Sequence, residues 1–153
     1  MKRIKVILVD DHAVVRAGYK ILLKSIDNIN IIAETGTGEE AVNLAAELSP
    51  DVVVMDISLP GMNGIEAIRR IVFQNHNIKV LVFSMHEEVV FIERALQAGA
   101  IGYMTKSSDP QLLSKAIQSV SLGKKYIDED LKKKMTYEHN RSREDDSVLS
   151  DLS

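Results

Sequence analysis

Apolar and polar positions fall along this chain in blocks of two different periods. Five short runs are nearly continuous in apolar residues or rich in β-branched ones: Ile4–Val9, Ile29–Glu34, Val52–Met55, Ile78–Phe83 and Ile101–Met104. The first, third and fourth lack a polar face, the pattern of strands covered on both sides. Between the runs the period lengthens. Val15, Tyr19, Leu22 and Ile26 fall at i, i+4, i+7 and i+11. Ala41, Leu44, Ala45 and Leu48 fall at i, i+3, i+4 and i+7, as do Leu113, Ala116, Ile117 and Val120, while Ile65, Ile68 and Val72 share one face. These spacings predict amphipathic helices.

The boundaries carry their own signals. Thr37 with Glu40 has capping-box spacing, and Asn63 with Glu66 nearly repeats it. Asp109-Pro110 reads as an N-cap followed by proline at the first helical position. Gly99 and Gly123 stand where C-terminal glycines belong. Strand and helix patterns alternate five times, which implies a parallel sheet with right-handed crossovers and helices on both faces. The expectation is an α/β, doubly wound, flavodoxin-like domain over residues 1–123, with a five-stranded sheet in the order 2-1-3-4-5.

After Gly123 the pattern changes. Asp128-Glu129-Asp130-Leu131-Lys132-Lys133-Lys134 places acids before bases, which favours a short helix through its dipole. From Thr136 the residues are mostly polar and charged, so 124–153 reads as a short helix plus a linker or tail. Apolar residues return at Val148, Leu149 and Leu152, as if another domain were to follow.

Composition narrows the function classes. The 153 residues are 45% hydrophobic, enough for a core. A net charge of −3 gives this segment no electrostatic reason to bind nucleic acid by itself. There is no cysteine, hence no disulfide or thiol chemistry, and no apolar stretch approaches the ~20 residues of a membrane span. The N-terminus lacks the features of a signal peptide, so a cytoplasmic location is expected.

The chemistry gathers at the strand ends. Asp10 and Asp11 end the first strand, Asp56 the third, Ser84 the fourth, and Thr105-Lys106 the fifth. In an open α/β sheet those ends line the ligand crevice. Three carboxylates there would repel one another, by about 4 kcal/mol for a pair roughly 4 Å apart near a protein surface. A bound cation reverses that sign. Hard oxygen donors on a shallow rim suit Mg²⁺, whereas His12, His76, His86 and His139 follow no zinc-ligand spacing. A carboxylate beside Mg²⁺ and a lysine can accept a phosphoryl group. Taken singly these residues have plain explanations: a turn or N-cap aspartate, a solvated lysine, a loop serine. Their joint placement is far more specific.

Four motifs then resemble the receiver domain of bacterial two-component response regulators: Val9-Asp10-Asp11-His12, Met55-Asp56 running on to Asn63-Gly64, Phe83-Ser84-Met85-His86, and Gly102-Tyr103-Met104-Thr105-Lys106. The wording around Asp10 and after Ser84 resembles the NarL/LuxR-type subfamily. The resemblance implies that Asp56 is the phosphoacceptor. It implies a Mg²⁺ site of Asp10, Asp11, Asp56 and Ser58, in which Asp11 ligates directly, Asp10 through water, and Ser58 by its carbonyl. Lys106 and Ser84 would bind the phosphate, and Ser84 and Tyr103 would be the switch hydroxyl and switch aromatic. It further implies a sensor histidine kinase as donor, possible homodimers on phosphorylation, and DNA binding through a C-terminal helix-turn-helix that this chain does not contain. Many receiver domains carry proline after the lysine, joined by a cis bond; Ser107 stands there here, and the isomer of that bond is open.

The readout surface expected on this resemblance is helix four, strand five and helix five. Val89-Val90-Phe91-Ile92 is apolar at four consecutive positions, which one helix face cannot bury, so Val90 and Phe91 are candidates for a partner surface. Three functions compete. The first is a phosphorylation-activated regulator controlling transcription, or a stand-alone receiver acting by protein contact, with only self-phosphorylation and self-dephosphorylation as catalysis. The second is a Mg²⁺-dependent aspartyl phosphatase, but such enzymes commonly carry an acid two residues after the nucleophile, where Ser58 stands. The third is a flavodoxin-like cofactor binder, against which Asp10-Asp11 would repel phosphate after strand one.

Overall fold

The computed structural model describes residues 3–152, the side chains of 142 and 144–152 excepted. Six strands, β1 (Ile4–Val9), β2 (Ile29–Thr35), β3 (Val52–Met55), β4 (Lys79–Ser84), β5 (Gly102–Thr105) and β6 (Tyr126–Ile127), alternate with six helices: α1 (Ala13–Lys24), α2 (Gly38–Leu48), α3 (Gly64–Gln74), α4 (Val89–Ala98), α5 (Leu112–Ser121) and α6 (Glu129–Leu152). All strand pairs are parallel, in the order β2-β1-β3-β4-β5-β6.

The continuous apolar runs are explained by burial on both faces. Ile7, Val9, Val53, Met55, Val80, Val82 and Tyr103 point into one core, shared with Ala41 of α2, Ile68 and Ile71 of α3, Ile92 of α4 and Leu131 of α6. Their strand neighbours Val6, Leu8, Val52, Val54, Leu81, Phe83 and Met104 point into the other, against Leu23 of α1 and Leu113, Ile117 and Val120 of α5. Period-two alternation thus separates two cores that are both hydrophobic. Each fully buried aliphatic side chain contributes about 1.5–3 kcal/mol.

Most local signals act as expected. Thr37 accepts the Glu40 amide at 3.2 Å, and Asn63 accepts the Glu66 amide at 2.9 Å. The Glu40 carboxylate does not return to the Thr37 amide; it takes the Thr35 hydroxyl at 2.7 Å, joining β2 to α2. Gly99 ends α4 at φ 121°, and Gly123 follows α5 at φ 81°, a region open to glycine. Asp109 does accept the Gln111 amide at 3.0 Å, but α5 starts at Leu112, after a turn through Pro110 and Gln111.

Two expectations are corrected. The sheet has six strands, because Tyr126 and Ile127 pair with Gly102 and Tyr103 at the outer edge of β5. Two residues are too few to show an alternating pattern. The short helix expected near Asp128–Lys134 runs instead from Glu129 to Leu152. That segment lacks glycine and proline and is rich in strong helix formers. Its first turns are docked by Leu131 and Met135 on the core beneath α4. Among the described residues, no helix is long and apolar enough to cross a membrane.

Candidate functional site

Strand register assembles the site. Val9 pairs with Met55, so the next residues, Asp10 and Asp56, emerge side by side. Ser84 pairs with Thr105, so Lys106 follows one residue beyond. The ladder continues past the strands: the Asp56 amide donates to the Val9 carbonyl at 3.0 Å, and the Lys106 amide to the Ser84 carbonyl at 2.9 Å. Behind Asp56 the chain turns sharply into α3. A Cβ on Gly64 would lie 2.4 Å from Ile57 Cα and 2.5 Å from the Asp56 carbonyl oxygen, so only glycine lets α3 start this close.

Asp10 and Asp56 are 3% and 4% exposed. Burial at that depth is costly for a charge unless it is paired and hydrogen-bonded. Both conditions are met, and in the same way for each. Lys106 Nζ donates to Asp56 Oδ2 at 2.9 Å and to Asp10 Oδ2. The other oxygen of each acid accepts an amide two residues on: Ser58 N to Asp56 Oδ1 at 3.0 Å, His12 N to Asp10 Oδ1 at 2.9 Å. Burial by itself would lower the Lys106 pKa, but the bonds to Asp10 and Asp56 outweigh it and the pKa is raised. Lys106 is therefore a fixed cation between two acids.

Asp11 lies on the open side of the rim, its side chain 30% exposed. His12 Nδ1 stands 3.0 Å from Asp11 Oδ1 and 3.4 Å from Asp10 Oδ1. Asp10, Asp11 and His12 offer ligand atoms within 4.8 Å of one another. The three carboxylates Asp10, Asp11 and Asp56 face one ammonium, Lys106, and so leave two negative charges (3 − 1 = 2). This oxygen-rich, acid-excess donor set fits a hard divalent cation such as Mg²⁺.

The remaining predicted residues are arranged around His86, which the sequence placed in the Ser84 motif without a role of its own. Ser84 is fully buried, and its Oγ accepts the His86 amide at 3.2 Å. Tyr103 is also fully buried, with its hydroxyl donating to the His86 carbonyl at 2.8 Å. Burial pushes the Tyr103 phenol well above its usual pKa, with a smaller lowering from Ser84. The His86 ring lies 2.6 Å by Nε2 from Ser58 Oγ and packs on Phe91, centroids 4.4 Å apart. One residue thus touches the Ser84 hydroxyl, the Tyr103 hydroxyl, the loop after Asp56 and the first turn of α4. On α4, Val89 and Ile92 are buried, Phe91 is half-buried and Val90 is 47% exposed, so the apolar run splits between core and surface. The described peptide bonds include no cis bond, so Lys106–Ser107 is trans.

Arg16 was also missed. Its Nη1 donates to the Asp10 carbonyl, and its Nε lies 3.4 Å from Glu34. A side chain reaching from a helix to a loop carbonyl leaves no trace in sequence periodicity. The spatial closeness of His12, one residue beyond the acids, could have been read from its position in the turn.

The profile of the response regulator receiver domain matches residues 6–118. Response regulator GacA of Pseudomonas aeruginosa is 38% identical over 150 residues, which is 98% of this chain and 70% of GacA. The crystal structure of a LuxR-family two-component response regulator from Aurantimonas sp. superposes with TM-score 0.87 at 39% identity, covering 90% of this chain and 99% of that one. A structure of two RcsB dimers bound to two parallel DNAs superposes with TM-score 0.80 at 25% identity, covering 88% of this chain and 69% of that one. With the matched span running from β1 into α5 and enclosing the whole rim, this chain belongs to the response regulator receiver domain family, in its LuxR/NarL-type branch.

Proposed function

We propose that residues 1–123 are the phosphorylation-activated input of a transcriptional regulator and that 124–153 lead towards its output. Asp56 is the phosphoacceptor. The observation that carries this reading is the buried Asp56 carboxylate sharing Lys106 with Asp10 at the carboxyl edge of the sheet. An Asp56 oxygen attacks phosphorus; the bond from phosphorus to the donor's histidine nitrogen breaks, and the electron pair leaves with the donor. Lys106 neutralises charge on the transferred group. Asp10, Asp11, Asp56 and the Ser58 carbonyl would hold Mg²⁺, which when bound would offset phosphate charge during transfer. A sensor histidine kinase is the donor, in the cytoplasm, and catalysis by this chain is limited to its own phosphorylation and dephosphorylation.

The switch follows from the His86 junction. A phosphoryl group on Asp56 adds charge and acceptor oxygens. Ser84 turns to it and gives up the His86 amide, which loosens the link to Tyr103 and Phe91. The equilibrium of the α4–β5–α5 surface, with Val90 and Phe91 on it, shifts accordingly. Tyr103 is already inside, so its movement is a change of partner and not an entry from solvent. Homodimers and DNA binding through a C-terminal domain complete the reading, supported by the RcsB dimers on DNA.

Incubation with acetyl phosphate and Mg²⁺ tests it. The intact mass should rise by one phosphoryl group, and Asp56→Asn should abolish the gain. A gain that survives the substitution, or none in the parent chain, removes the reading.

A further inference from the structure

The outer edge of β5 runs out of partners just where the functional loop begins. β6 supplies only Tyr126 and Ile127, opposite Gly102 and Tyr103. Next along that edge comes the Thr105 amide, and its partner is a side chain. Thr105 N donates to Asp128 Oδ2 at 2.8 Å, and Ser108 Oγ donates to the same oxygen at 2.7 Å. Asp128 is 8% exposed and stands immediately before α6, where an aspartate usually caps its own helix. Here its main-chain carbonyl takes the Lys132 amide, while the carboxylate turns to the β5–α5 loop.

One carboxylate oxygen therefore grips the loop on both sides of Lys106. Between the two grips, Ser107 Oγ donates to Glu87 Oε1 at 2.8 Å, and Glu87 Oε2 lies 3.6 Å from Lys134 Nζ on α6. Residues 105, 107 and 108 are all held from outside, and the Lys106 side chain alone reaches inward to Asp10 and Asp56.

We propose that Asp128, which lies beyond the span matched to the receiver family, is a positioning residue for phosphoryl transfer: it fixes the β5–α5 loop so that Lys106 meets the phosphoryl group on Asp56. The inference rests on Asp56 being the phosphoacceptor. Phosphoryl transfer depends mainly on positioning and charge stabilisation. A lysine ammonium sits on a flexible four-carbon stem, so the backbone that carries it sets where it starts. A misplacement of about 1 Å caused by a distant substitution can slow a reaction roughly 100-fold.

The test is the phosphorylation rate of the full chain against acetyl phosphate concentration, with Mg²⁺ affinity measured separately by NMR at the Asp10 and Asp11 amides. Asp128→Ala should lower the saturating rate by about 10- to 100-fold, without changing the half-saturating donor concentration or Mg²⁺ affinity. Asp128→Asn keeps an oxygen able to accept from both Thr105 and Ser108, and should rescue most of the rate. An Asp128→Ala chain as fast as the parent overturns the inference. So does an Asn variant as slow as the Ala variant, or a fall in Mg²⁺ affinity alongside the rate, since general loosening would produce that. If Asp128→Ala does not fold, Ser108→Ala decides: slower transfer supports the inference and the parent rate overturns it. A parent chain that takes no phosphoryl group overturns the Asp56 reading itself, whereas a phosphorylated parent beside an equally fast Asp128→Ala overturns only this step.

Discussion

Two charge triads in this molecule are mirror images. At the rim, one base, Lys106, sits between two acids, Asp10 and Asp56, with side chains 9%, 4% and 5% exposed. Beside β2, one acid, Glu34, sits between two bases, Arg16 and Lys20, with side chains 32%, 17% and 48% exposed. Arg16 connects them through the Asp10 carbonyl. Attraction between unlike charges operates in both, but water shares the second and is nearly excluded from the first. Where water is present it substitutes for a lost partner; where it is absent the loss stays uncompensated. The rim therefore depends on its cation, and the β2 triad does not depend on any one member.

Removing Lys106 tests this most severely. Lys106→Ala leaves Asp10 and Asp56 buried together with no cation, and in Mg²⁺-free buffer it should lower the unfolding free energy by about 3–5 kcal/mol. Saturating Mg²⁺ should return part of that loss, because a ligand that binds only the folded state stabilises it. Urea unfolding of parent and variant, with and without Mg²⁺, measures both. A loss below about 1 kcal/mol would make the rim no different from a surface pair. Equal Mg²⁺ stabilisation of parent and variant would show that the ion does not take over from the ammonium.

A smaller effect follows from removing an acid. Asp56→Asn weakens one charge-assisted bond to Lys106 but also relieves repulsion between Asp56 and Asp10, while the Asn oxygen still accepts from the Ser58 amide. The two changes oppose each other, so stability should stay within about 1 kcal/mol of the parent even though phosphorylation is lost. The same urea titration reads it. A loss as large as that of Lys106→Ala would mean that each acid, and not the shared cation, holds the rim together.

The two triads also differ in how far the sequence discloses them. Asp10, Asp56 and Lys106 were legible because each follows a strand-like run, and parallel pairing brings the ends of such runs to one edge. Glu34, Arg16 and Lys20 meet through long side chains reaching from α1 to β2, and no spacing rule encodes that reach. The Ser58–His86 bridge was hidden for the same reason, since it joins residues 28 apart through loop geometry. β6 escaped because two residues cannot display a period. The length of α6 escaped because, past Leu131 and Met135, it has little apolar face to announce it, and its polar residues suit a helix as well as a tail. Asp128 falls in this region: it reads as one of the acids that favour the following helix through its dipole, yet its carboxylate serves the neighbouring loop.

The smallest predicted effect lies in the exposed triad, where pH separates the two. The Glu34 pKa is held below its ordinary value of 4.5, most strongly by the hydrogen bond from Lys20, with Arg16 adding to it and slight burial opposing. A carboxylate whose folded pKa lies below its unfolded one contributes stability above the unfolded pKa and loses it as pH falls through the folded value. Lys106 has the opposite sign: its pKa is raised from 10.5, so its contribution is complete below that value and is lost as pH rises through the higher folded pKa. Glu34→Gln should therefore cost about 0–1 kcal/mol at pH 7, and less at high salt, where exposed pairs are screened. The cost should vanish as pH falls through the lowered folded pKa of Glu34, and the alkaline limb of the stability curve should be unmoved. Thermal unfolding of both chains from acid to alkaline pH checks each point. A cost that persists in acid, or an alkaline limb that shifts with Glu34, would mean that the two triads act through Arg16 as one network.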